Sequence, residues 1–323
     1  MKSLILCIFS AVLMIFSCGC YDYNELKNYT IVMGIGIDTG KEYKYKVTAE
    51  LGSISESGEN VRESQSSVVI VQQADSIEQA VALLTDTTGG ELYFKNCEIA
   101  VIGKALCNNG ISDVIDFLIE SPAFQKNMSV AVSGGLAADV FSIAPTTDNV
   151  ISTELAKSIE SGEKSLSNTH KITPFEVYES NTRGEHCVLP TLNIKSDAKD
   201  TVEAGGFVVL EDWKGICDIS SEDAVYYSFL CSSVSRAVIE VGTDDDSFGC
   251  EITKAKTETN GEEILIEVHA SAFDADNSDA VQKQILSGVE KVAQKMRDYN
   301  VSDVPSGEIV VDVQLSNRQQ TID

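Results

Sequence analysis

Residues 31–38 read IVMGIGID and residues 43–51 read YKYKVTAEL. Apolar and polar residues alternate along the second run with the period of two of a half-buried strand. Thr39-Gly40 divides the two runs, so together they form a β-hairpin. The next fifty residues decide whether that hairpin belongs to an all-β or a mixed fold. Residues 53–67 (SISESGENVRESQSS) read as a polar loop before a third apolar run at 68–71. Ser76 and Gln79 then have the spacing of a capping box, opening a helix with Ile77, Val81 and Leu84 on one face, which Gly89-Gly90 ends.

A second unit repeats this order. Residues 97–102 (CEIAVI) form a strand and Asn108-Asn109-Gly110 a turn. Ser112 caps a helix carrying Val114, Ile115, Leu118 and Ile119, which Pro122 stops. Residues 127–132 return as a strand, Gly134-Gly135 turns, and 153–160 reads as a short helix. Further on, 206–210 (GFVVL) and 214–219 (KGICDI) form a hairpin over Glu211-Asp212, and Ser220 with Asp223 starts a helix through Cys231. Strands at 234–241, 251–259 and 262–272 come next, the last two joined by Asn260-Gly261, a favoured two-residue turn. Val281, Ile285, Val289, Val292 and Met296 recur at helical spacing before a terminal strand at 309–315, so the downstream half reads as a meander packed on helices.

The expected class is α+β, with mixed or antiparallel sheets and packed helices in two or three domains. Polar stretches divide the chain into an N-terminal region at 20–195 with a break near 161–168, a linker at 196–202 and a C-terminal domain at 203–323.

Residues 1–19 have a different character. Lys2 is followed by thirteen residues, 4–16, interrupted only by Ser10. That is shorter than the roughly 20 apolar residues a membrane helix needs, and it fits the core of a secretory signal. Ser17, Cys18 and Gly19 are small and precede Cys20, a pattern that resembles a bacterial lipoprotein processing site. Cys20 is then the acceptor of an S-diacylglycerol group, with N-acylation the further step. Each buried methylene contributes about 0.8 kcal/mol, so two or more acyl chains make a stable anchor where one is marginal.

The formal net charge is -26, or -27 once Lys2 leaves with the leader. Such a balance repels nucleic-acid phosphates and opposes broad contact with an anionic membrane surface. A tether at Cys20 supplies the attachment that electrostatics opposes. Of nine cysteines, Cys97, Cys107, Cys187, Cys217, Cys231 and Cys250 remain beyond the leader and the anchor. Their wide spacing is that of small buried side chains rather than a disulfide scaffold, and no CxxC pair provides the usual zinc spacing.

Catalytic patterns are sparse. Asp38-Thr39-Gly40 matches the tripeptide of aspartic proteases, whose chemistry needs two such carboxylates; one copy is present, and it reads as a hairpin turn. Gly34-Ile35-Gly36 opens like a dinucleotide fingerprint, but Thr39 replaces the third glycine and no helix comes after it. Asp274, Asp276 and Ser278 imitate a calcium loop, yet Asp279 stands at the turn glycine and Ile285 at the closing glutamate. Asp244, Asp245 and Asp246 read as a solvated turn. His170, His186 and His269 are far apart, and adjacent His186 and Cys187 would point oppositely on a strand. No catalytic, cofactor or metal residues are assigned, and the chain is read as a non-enzyme.

Taken in order, these segments resemble the spore germination lipoproteins of the Ger(x)C family, the C subunits of germinant receptors. The resemblance rests on Cys20 followed by an aromatic and an acid, Asn24-Glu25-Leu26, IVMGIGID, then KNCEIAVIGKAL with NNGISDVIDFLIE, Leu189-Pro190, AGGFVVLEDWKGICDIS and VEKVAQKM. Tyr21 stands where the family usually has tryptophan, and SPAFQKN, with Lys126 alone of its charges, replaces an Arg-x-x-Glu-x-Arg pattern. The resemblance implies a mixed α/β, non-catalytic subunit on the outer face of the spore inner membrane. It would assemble with A-type and B-type receptor subunits that make most of the contact with small germinants. Two other classes stand beside it: a substrate-binding lipoprotein of a transporter, and a cell-envelope hydrolase.

Overall fold

The computed structural model describes residues 29–52, 67–147, 150–196, 200–231, 234–243, 246–260, 263–272 and 277–317. The leader, Cys20 and residues 53–66, 244–245 and 273–276 lie outside them, so the acylation site, most of the serine-rich loop, and the acidic groups Asp244, Asp245, Asp274 and Asp276 do too.

The hairpin forms as β1 (Tyr29–Thr39) and β2 (Tyr45–Gly52), paired antiparallel from Ile31↔Gly52 to Thr39↔Tyr45 with a bulge at Met33. The turn comes later than Thr39-Gly40. Asp38 and Thr39 are still paired, and Gly40 N donates to Lys44 O. β3 (Ser67–Ala74) adds antiparallel to β2. Helix α1 (Ile77–Thr88) comes next, with Ser76 Oγ accepting from Gln79 N and Gly89 closing it in the left-handed region. The short β4 (Glu91–Tyr93) and then β5 (Ile99–Ile102), β6 (Ser129–Ser133) and β7 (Cys187–Ser196) extend the sheet in parallel. Their crossovers carry α2 (Lys104–Asn109), α3 (Ser112–Glu120), α4 (Ala137–Phe141), α5 (Ile151–Ser165) and α6 (Pro174–Arg183).

The structure corrects several expectations. Ser112 is the first residue of α3 rather than its cap, which is Ile111. The break expected near 161–168 begins inside α5, which runs to Ser165; its polar residues form the solvent face of an amphipathic helix. The described residues of the linker expected at 196–202 belong to strands, because β7 pairs with β8 (Asp200–Glu211) as far as Ser196↔Asp200. β8 and β9 (Lys214–Ile219) therefore complete the first sheet, in the order β3-β2-β1-β5-β6-β7-β8-β9 with β4 beside β1.

The second sheet, β10-β11-β12-β13, comprises β10 (Ala237–Thr243), β11 (Asp246–Asn260), β12 (Glu263–Ala272) and β13 (Glu308–Asn317). Its first three strands meander. β13, however, lies parallel to β12 because the 21-residue α8 (Ser278–Asp298) carries the chain back across the sheet, so the expected meander ends in a β-α-β unit.

The two sheets join through α7 (Ser221–Cys231), in which every residue from Ala224 to Leu230 is buried. A helix apolar all round needs cover on all sides. α7 shares one core with Phe207, Val209, Cys217 and Ile219 of the first sheet, with the second sheet, and with Val281, Ile285 and Val289 of α8. Tyr226 of α7 lies flat on Gly288 of α8, where any Cβ would enter its ring.

Candidate functional site

The first sheet buries both faces. On one, Ile35, Ile37, Val47, Ala49 and Leu51 meet α1, α2 and α3 in an apolar core. On the other, β1 and β2 present Gly34, Gly36, Asp38, Thr48 and Glu50, the small and polar half of the alternation along the hairpin. Asp38, Thr48 and Glu50 are nonetheless fully buried. The cover comes from α4 and α5, whose N-cap residues, Leu136 and Val150, have no side chain to satisfy the first amides. The strands supply what the helices lack. Asp38 accepts from Ala137 N at 2.8 Å and Ala138 N at 3.0 Å, one with each oxygen. Glu50 accepts from Ile151 N at 3.0 Å, Ser152 N at 2.8 Å and the Ser152 hydroxyl. A carboxylate at a helix N-terminus also meets the positive end of the helix dipole.

The glycines set the spacing. A Cβ on Gly34 would collide with Ser152 Oγ and stand 2.9 Å from Phe141 Cε1; one on Gly36 would stand 2.9 Å from Phe141 Cε2. Gly103, at the end of β5, leaves room for Asp38 Oδ1. Burial nevertheless pushes the Asp38 carboxyl up from its ordinary range, against the two amides that favour its charge. Asp38-Thr39-Gly40 is therefore a capping carboxylate at a strand end. The spacing of Gly34, Gly36 and Asp38 admits helices to a strand.

A cleft of about 350 Å³ lies where the cores of the two sheets meet. Its walls include Glu163, Ser167, Thr169, His170, Tyr227 and Ser228. Most of these polar groups bond inward. Ser167 Oγ donates to Arg236 O, Thr169 Oγ1 to Ile159 O and Ser228 Oγ to Ser167 O. His170 Nδ1 sits 2.9 Å from Glu163 Oε1 on the exposed rim.

His186 ties the sheets together: Nδ1 lies 2.8 Å from Ser302 O, past the end of α8, and Nε2 lies 3.3 Å from Tyr227 OH. Glu211 accepts from Ser302 N at 2.8 Å in the same contact. His269 is exposed on β12. The structure does not bring the three histidines together, and among the described residues no group of three or more His, Cys, Asp or Glu is placed to hold a metal. The Cys187 thiol faces Asn181 Nδ2 at 3.7 Å, and burial holds it at about 12.

Cys97 and Cys107 are likewise pushed to about 12 by burial and Cys250 to about 11, so none supplies a thiolate at neutral pH. Thiol titration with a disulfide reagent at pH 7.5 is expected to modify Cys97, Cys107, Cys187 and Cys250 only after denaturation. Prompt modification of those four in the native protein would contradict the packing. Among the described residues no helix is long and apolar enough to cross a membrane.

Two sheets welded by a buried helix, with strand carboxylates capping the helices of the first, define an α+β protein whose polar residues serve chiefly to join its own elements. The chain belongs to the spore germination protein family: residues 22–194, more than half of it, match the family's N-terminal domain. It is 19% identical over 304 residues to spore germination protein B3 of Bacillus subtilis (strain 168), covering 89% of this chain and 80% of that protein. The crystal structure of the GerBC protein superposes with a TM-score of 0.55 at 15% identity, covering 88% of this chain and 97% of the other, which establishes a shared fold. The expected Ger(x)C family and α+β class are thus correct.

Proposed function

We propose that this chain is the lipid-anchored C subunit of a spore germinant receptor, working through protein contacts with A-type and B-type subunits at the outer face of the spore inner membrane. The observation that carries this reading is the family match, which begins two residues beyond Cys20. An acylated Cys20 moors an acidic body beside a membrane it would not bind by charge. Small germinants are sensed by the assembled receptor, with the membrane subunits making most of the nutrient contact. The subunit performs no catalysis.

The anchor is tested by Cys20→Ala in the native host. The variant is expected to move from the membrane fraction to the soluble fraction, with nutrient-triggered germination reduced at least tenfold. Full retention in the membrane fraction would contradict the anchor.

A further inference from the structure

Among the described residues the two strand orders end on β3 and β9 in the first sheet and on β10 and β13 in the second. Open edges invite pairing with other chains, and proteins commonly guard them with charge or proline. Three edges here carry that guard: Lys214 and Asp218 on β9, Glu240 on β10, and Glu308 and Asp312 on β13. β3 reads SVVIVQQA, with four consecutive β-branched residues, no charge and no proline. Its outer backbone edge meets no strand among the described residues. Two of its valines are also open to solvent, Val68 at 55% and Val71 at 41%. In a chain with 74 charged side chains, 24 basic and 50 acidic, an eight-residue edge without one is a conspicuous gap in the guard.

We infer that β3 is a docking edge that accepts an extended segment of another receptor subunit as a further strand of the first sheet, an inference that rests on the receptor reading proposed for the chain. Main-chain hydrogen bonds along β3 would supply most of the affinity, and apolar side chains flanking Val68 and Val71 the register. Charge selects the occupant. Pairing β3 with a second copy would bring two strongly acidic bodies side by side, whereas a basic segment is drawn to this edge.

The test is hydrogen–deuterium exchange on the full-length chain, free in detergent and within the receptor purified from spore membranes. It is paired with a Val68→Lys/Val71→Lys variant, which guards the edge as the others are guarded. Assembly is expected to slow exchange of outward amides in residues 67–74 at least tenfold. The double variant should keep the parent melting temperature, because both side chains are exposed, yet lose at least tenfold in co-purified subunits. Four results would overturn the inference: those amides already protected in the free chain, a free chain that sediments as a dimer through β3, a receptor that assembles with β3 unprotected, or one that assembles with the double variant at parent yield. If no other subunits co-purify with the parent chain, the receptor reading fails and this inference with it; assembly without β3 protection sinks this inference alone.

Discussion

Glu50→Ala is expected to be among the most destabilising single substitutions in this chain, although it removes one polar side chain from a strand. The carboxylate is fully buried and is the acceptor for Ile151 N, Ser152 N and the Ser152 hydroxyl. Each buried donor left without a partner costs about 1–3 kcal/mol, so the two amides alone account for about 2–6 kcal/mol. That is a large fraction of the roughly 5–15 kcal/mol typical of a folded domain. Glu50→Gln keeps the volume and one acceptor but turns an NH2 group toward a helix amide, so it should cost about 1–3 kcal/mol. Urea unfolding of the two variants checks the ordering. If Glu50→Ala is no less stable than Glu50→Gln, the capping account is wrong.

Gly34→Val is expected to have a comparable effect through steric conflict. Its Cβ would occupy the position of Ser152 Oγ and press on the Phe141 ring, so α4 and α5 must lift from β1 or the strand must bend. Overpacking a core typically costs about 1–3 kcal/mol. Here the displaced Ser152 also loses its bond to Glu50, which takes the expected loss to about 3 kcal/mol or more. Because both substitutions act through Ser152, Gly34→Val and Glu50→Ala combined should cost less than the sum of the two. Strict additivity in denaturant melts would mean that the glycine and the carboxylate do not act on the same helix start.

This shared dependence shows where the sequence is legible. Alternation in residues 43–51 marks the strand and its two faces correctly, but alternation cannot tell a polar face in water from one capping buried helices. The missing information is three-dimensional: α4 and α5 start about a hundred residues downstream of the carboxylates that cap them. α4, at five residues, is too short to show a helical period. α6, absent from the expected elements, does carry local signals. Thr173 and Glu176 form a reciprocal capping box, Pro174 holds the first turn and Gly184 closes the helix in the left-handed region. Long apolar runs dominate pattern recognition, and α6 buries only Pro174 and Val177.

The stretch 196–202 reads as a linker because polar strand ends and linkers share a composition. The pairing of β7 with β8 becomes visible only in register. The turn expected at Glu211-Asp212 falls one residue later, at Asp212-Trp213, and its strain is hidden in the sequence. Both residues adopt positive φ, and the turn is held by Trp213 N donating to Asn181 Oδ1 at 2.8 Å and by Ile111 N donating to Trp213 O. The family, by contrast, is legible from an ordered series of loose motifs, and in IVMGIGID the two glycines and the carboxylate each answer a packing demand of this fold.

The most direct test of the receptor-subunit account is affinity purification of the full-length chain from detergent-solubilised native spore membranes, with mass spectrometry of what is recovered. The account predicts the two co-encoded receptor subunits in near-equal amount and a diacylglycerol adduct on the Cys20 peptide. Recovery of the chain alone from the soluble fraction, with the Cys20 sulfur unmodified, would contradict it.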